Sequence, residues 1–67
     1  MDDVEELRER LAALKDRHRD LDETIDHMAS GQAVLDMFAL QRMKKERLSV
    51  KEMIIRIESM IVDDIIA

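Results

Sequence analysis

Apolar residues in the first half of the chain recur at alternating steps of three and four. This first seam runs through nearly four heptads, and its only polar member is His18. Such spacing places all the members along one side of an α-helix and is typical of coiled-coil packing. The members are Val4, Leu7, Leu11, Leu14, His18, Leu21, Ile25 and Met28. The pattern predicts a first helix over about residues 3–29.

A second seam follows with the same rhythm, but one residue out of step with the first. Its members are Ala33, Asp36, Leu40, Met43, Arg47, Val50, Ile54, Ile57 and Ile61. One continuous helix would rotate its apolar stripe by about 100° at Gly31, so we expect the chain to break there. The predicted elements are a turn over about 30–32, a second helix over about 33–62 and a short apolar tail over 63–67.

Folding the chain back at Gly31 brings the two seams together layer by layer. Apolar residues then face apolar residues, and the one polar seam residue of the first helix, His18, meets Arg47. We therefore predict an all-α protein with one domain, residues 1–67, built as an antiparallel two-helix hairpin. In this register Asp22 reaches across the seam toward Lys44, which predicts an ion pair between the helices.

The second helix carries more apolar surface than one seam requires. A chain this short rarely gains more than about 3–5 kcal/mol from a core of its own, and an exposed apolar stripe usually marks an interface. We expect self-association into a four-helix bundle, most often a two-fold dimer. The alternative occupant is a helix of another protein. The candidate interface residues are Val34, Leu48, Met53, Ile55, Met60, Val62, Ile65 and Ile66.

Composition narrows the chemistry that the chain can perform. It has 67 residues and a formal net charge of −5, with no Cys, Pro, Trp or Tyr. Without cysteine there are no disulfides, thiolate nucleophiles or sulfur-based zinc sites, which favours a reducing compartment such as the cytoplasm. We find no triad, phosphate-loop or zinc motif and no signal or membrane-spanning segment. The expected protein is therefore not an enzyme and uses no cofactor or metal.

A local basic block stands out against the acidic background. Five bases surround the single acid Glu46, and they are Arg42, Lys44, Lys45, Arg47 and Lys51. One interpretation is contact with nucleic acid or anionic lipid. The other is that the block lies against Asp16, Asp20, Asp22 and Glu23 of the first helix, as the hairpin register predicts. The lack of stacking aromatics and the net negative charge favour the second interpretation.

Two stretches carry a family resemblance. HRDLDETI at 18–25 and LQRMKKERLSVKEMI at 40–54 resemble the YdcH-like family of short bacterial proteins, whose pattern is H-x-x-L-D-x-x-I followed by L-K-K-x-K-L-x-L-K-D-x-I. The resemblance spans about residues 7–61, with mild departures such as Arg47 for Lys. It implies a small, cytoplasmic, coiled-coil-like protein of uncharacterised function. We expect a structural or adaptor protein, with nucleic-acid association through the basic block as the alternative.

Overall fold

The chain forms two long helices that pack along one another. The computed structural model describes residues 3–31 and 36–66, with side chains described up to residue 63. Helix α1 spans Asp3–Ala29 and helix α2 spans Met37–Ile66. The molecule is 51 Å long and at most 16 Å across. The predicted helical-hairpin fold is confirmed.

The direction of the two helices follows from the ion pairs between them. Arg17 of α1 meets Glu46 near the start of α2, and Lys15, which precedes it, meets Glu58 farther along α2. The residue numbers of the partners on α2 therefore rise as those on α1 fall, which defines an antiparallel pair.

Helix α1 has sequence features that favour a helix start at its N-terminus and a helix end at its C-terminus. Asp3, Glu5 and Glu6 place negative charge in the first turn, where the helix dipole favours it. At the other end the Ser30 amide and hydroxyl both donate to the carbonyl of His27. Gly31 then adopts the left-handed conformation with φ of 78°, which only glycine adopts without steric cost. The chain leaves α1 at the glycine that marked the phase change.

Helix α2 begins at Met37, whereas the seam predicted a start near residue 33. Residues 33–35 lie outside the described part of the chain, and Asp36 is the N-cap. Its Oδ1 accepts hydrogen bonds from the amides of Phe38 and Ala39, both at 3.1 Å. Asp36 is accordingly exposed and is no layer of the seam, where the sequence pattern had placed it. Helix α2 also continues to Ile66, through most of the expected tail.

The core consists of seam residues from both helices. Among the described residues, the six buried apolar side chains are Leu21, Ile25, Leu40, Val50, Ile57 and Ile61. Burial on α1 is confined to the end near the turn, since Leu7, Leu11 and Leu14 are only half-buried. On α2, in contrast, buried residues continue to Ile61. At the end of the hairpin farthest from the turn, the seam residues of α1 are therefore less buried than those of α2.

Candidate interaction surface

A polar cluster joins the two helices in the middle of the hairpin. Arg47 donates a hydrogen bond from Nη1 to Oδ1 of Asp22 at 2.9 Å. The other carboxylate oxygen, Oδ2, lies 3.3 Å from Nδ1 of His18, one turn earlier on α1. All three side chains are partly buried. Asp22 thus bridges the two seam residues, His18 and Arg47, that were expected to form a polar layer.

The cross-helix partner of Asp22 differs from the one predicted. The sequence pattern assigned Asp22 to Lys44, but the carboxylate is held by Arg47. Lys44 is exposed and lies farther around α2, beside Leu48 in a shallow surface cleft. The reason is reach: Arg47 starts from the seam, and its long side chain carries the guanidinium outward to the acid.

Two further ion pairs cross between the helices at exposed positions. Nη2 of Arg17 donates to both carboxylate oxygens of Glu46 at 2.9 Å. The hydrogen bonding to Glu46, together with the negative charge of its carboxylate, raises the pKa of the Arg17 guanidinium above its usual value. Nζ of Lys15 lies 3.7 Å from Glu58. Exposed pairs of this kind contribute little to stability.

The basic block is not neutralised by α1 in the way that the hairpin register predicted. Arg47 alone reaches one of the four expected acids, Asp22, and Asp16 pairs with Arg19 within α1 instead. The other four bases form no ion pair within the described ranges 3–31 and 36–66. They are Arg42, Lys44, Lys45 and Lys51. These four members of the block are therefore exposed cations on α2 without an ion-pair partner in the described residues.

Apolar residues also line the side of α2 that α1 does not cover. Leu48, Ile55 and Val62 stand at intervals of seven residues, and each is 51–58% exposed. We call these three residues the outer stripe. Met37, 53% exposed, continues it, because eleven residues before Leu48 is close to three full turns. A repeat of seven residues from Leu48 does not reach Met37, whereas a repeat of eleven residues does.

Two other predicted interface residues belong to a different surface. Met53 and Met60 line a groove of about 440 Å³ between the helices, together with Leu7, Leu14 and Ile57. The guanidinium-bearing residues Arg10 and Arg56 complete the lining. This groove is the incompletely covered end of the hairpin seam. Val34 lies outside the described residues, as do the side chains of Ile65 and Ile66.

Phe38, the one aromatic residue, is the most exposed large apolar side chain among those described. It is 84% exposed near the start of α2. By helix geometry it points about 100° away from the direction of the outer stripe. It belongs to neither apolar surface, which makes it a useful control position.

Two features are absent from the described residues, a cluster of three metal ligands and a membrane-spanning helix. Within 3–31 and 36–66, no three His, Asp or Glu side chains come together as ligands for a metal ion. Over the same part of the chain, neither helix combines enough length with enough apolar character to span a membrane.

Together these features define a class: a helical hairpin whose second helix has one apolar face on its partner and another facing outward. A family model described as "Protein of unknown function (DUF465)" matches residues 11–58, which are 48 of the 67 residues. The chain belongs to this family. It is the family of short bacterial proteins that the two sequence motifs resemble, so that resemblance is confirmed. No curated protein and no solved structure matches the chain significantly.

Proposed function

We propose that this protein is a non-enzymatic structural or adaptor module of the bacterial cytoplasm that acts through self-association. The observation that carries the proposal is the outer stripe. Leu48, Ile55 and Val62 are each more than half exposed on a helix whose other apolar face is already packed. Burying such side chains gains about 25 cal/mol for each Å² removed from water. A second copy offers the same stripe, so two copies can cover one another.

The size of the hairpin also supports association. Two helices sharing one seam bury only six apolar side chains among those described. In a two-fold dimer joined through α2, each α2 packs against α1 on one face and against the α2 of the second copy on the other. The result is a four-helix assembly with the two α2 helices at its centre and α1 outside each of them.

The experiment is a mass measurement by light scattering on Ile55→Glu, with Phe38→Glu as a matched control. Both variants replace an exposed apolar residue of α2 by the same acid, and Phe38 is the more exposed of the two. We expect Ile55→Glu to run as a monomer and Phe38→Glu to keep the mass of the wild type. Circular dichroism of both variants verifies that helix content is retained. Equal masses for all three proteins, or a wild type monomeric at every concentration, would overturn the proposal.

The exposed cations favour a second candidate function, association with nucleic acid. Arg42, Lys44, Lys45 and Lys51 remain without ion-pair partners in the described part of the hairpin. Binding to phosphates weakens steeply with salt, whereas apolar packing of helices hardly responds. A labelled oligonucleotide titrated at low and at moderate salt separates the two functions. Salt-sensitive binding that Lys44→Ala and Lys45→Ala reduce would favour this candidate.

A further inference from the structure

The charges beside the outer stripe are segregated along α2. Lysines surround Leu48, at positions −4, −3 and +3, whereas from residue 52 onward carboxylates predominate and Arg56 is the one base. The lysines are Lys44, Lys45 and Lys51, and the carboxylates are Glu52, Glu58 and Asp63. All six side chains are exposed. The stripe therefore has a basic end toward the turn and an acidic end toward the C-terminus of the helix.

Most of these charges are not used within the hairpin. In the part of the chain that the structure describes, Lys45, Glu52 and Asp63 form no ion pair, and neither does Arg56. Glu58 has Lys15 at 3.7 Å, at an exposed position where a carboxylate can take a second partner. The charges that flank the stripe are thus available to a partner that lies on it.

We propose that a second copy of the chain docks on the outer stripe in the antiparallel direction, with the two-fold axis at Ile55. This inference rests on the proposed self-association and adds its direction and its register. In this arrangement Ile55 faces its own counterpart, and Leu48 faces Val62 of the second copy. The basic end of each stripe then lies on the acidic end of the other.

The flanking residues agree with this register. Lys45 and Asp63 are eighteen residues apart, which is five whole turns, so they lie on one line along α2. Since a two-fold axis across the helices brings equal flanks together, Lys45 of one copy meets Asp63 of the other. Glu52 meets Arg56 on the same flank by the same geometry. Each pair occurs twice in a dimer.

A parallel dimer would lose this complementarity. Its two-fold axis runs along the helices, so residues of equal number lie at equal height. Lys44, Lys45 and Lys51 of both copies would gather at one end, and the carboxylates would gather at the other. Like charges side by side are destabilising. The charge pattern therefore favours the antiparallel direction over the parallel one.

Disulfide trapping tests the direction, and the absence of native cysteine makes the background clean. In an antiparallel dimer, two copies of residue 48 are fourteen residues apart along the axis, about 21 Å. That distance is far beyond the reach of a disulfide. We expect Leu48→Cys and Val62→Cys each to cross-link poorly alone and efficiently when mixed. Efficient self-cross-linking of each single variant, without a gain on mixing, would overturn the antiparallel direction.

Two controls separate this inference from the proposed function beneath it. Ile55→Cys lies opposite itself in either direction, so its cross-linking reports only that the outer stripe is the interface. Ala12→Cys, on the exposed side of α1, measures cross-linking by random collision. If Ile55→Cys exceeds this background while the Leu48 and Val62 mixture does not, the antiparallel register falls and self-association stands. If Ile55→Cys stays at background, both fall.

A charge-reversal series tests the register without touching the stripe. Lys45→Glu and Asp63→Lys each replace two attractive pairs per dimer with repulsive ones. We expect each to raise the dimer dissociation constant several-fold at low salt, and the double variant to restore it. Sedimentation equilibrium measures the constants. Failure of the double variant to recover would overturn the pairing of Lys45 with Asp63.

Discussion

Arg47 of α2 donates a hydrogen bond across the hairpin to Asp22 of α1, with Nη1 2.9 Å from Oδ1. Asp22 also lies within 3.3 Å of His18, so one carboxylate joins both polar residues of the two seams. Polar groups placed in an otherwise apolar seam are best known for selecting register. In this hairpin the cluster opposes sliding of α1 against α2, because a shift by one turn would separate Arg47 from Asp22.

Replacing Asp22 by Ala should lower the stability of the hairpin. The bond is partly buried and charge-assisted, so we expect a loss of about 1 kcal/mol in the free energy of unfolding. That corresponds to about 4–8 °C in melting temperature for a domain of this size. Asp26→Ala, an equivalent change at an exposed site one turn later, is the control for helix propensity. Lys44→Ala should lower the melting temperature less than Asp22→Ala does; a larger loss there than at Asp22 would restore the predicted Lys44 pairing.

Gly31→Ala should destabilise the turn through backbone strain alone. A methyl group at this position meets no atom within 4 Å, so crowding plays no part. The left-handed conformation at φ of 78° costs a residue with a Cβ about 1–2 kcal/mol. Asn tolerates this region better, so Gly31→Asn should lose less. Thermal unfolding at one fixed protein concentration compares the three, and an Ala variant as stable as the wild type would contradict the account of the turn.

Asp36→Ala should weaken the start of α2. The variant loses the acceptor for the amides of Phe38 and Ala39, and removal of such a cap costs about 0.5–2 kcal/mol. Asp36→Asn keeps an acceptor oxygen and should retain most of the stability. Chemical denaturation measures both free energies. If Asp36 instead filled a layer of the seam, Asp36→Leu would be the stabilising change, and we expect it to be destabilising.

Met60→Glu should leave the mass of the assembly unchanged. Met60 lines the groove between the helices and is nearly as exposed as the residues of the outer stripe. An acid there lies one turn from Arg56, which favours its tolerance on the helix. Light scattering on Met60→Glu beside Ile55→Glu therefore distinguishes the two apolar surfaces. Dissociation by Met60→Glu with a dimeric Ile55→Glu would move the interface to the groove.

The sequence predicts the hairpin well because its signal is periodic. All six side chains that are buried in the described part of the chain belong to the two seams, and the break coincides with Gly31. Periodicity shows which side of a helix a residue lies on, however, and does not show what its side chain does there. Asp36 has the spacing of a seam residue and the chemistry of an N-cap, and spacing alone cannot distinguish the two.

For a similar reason, the apolar pattern could not predict which cation on α2 pairs with Asp22. The register brings Asp22 near both Lys44 and Arg47, and the outcome depends on the reach and direction of each side chain. The pattern also does not show which exposed apolar residues of α2 share one surface. Met53 and Met60 counted as interface candidates beside Leu48, yet they line a separate groove.

Sedimentation equilibrium of the wild type over a wide range of concentrations tests the central claim most directly. Interference detection suits a chain that lacks Trp and Tyr. We predict a reversible approach to twice the 7.9 kDa of one chain as concentration rises. The same dimer should persist at high salt, because apolar packing of the outer stripe carries most of its stability. A mass of one chain at every concentration would contradict the account.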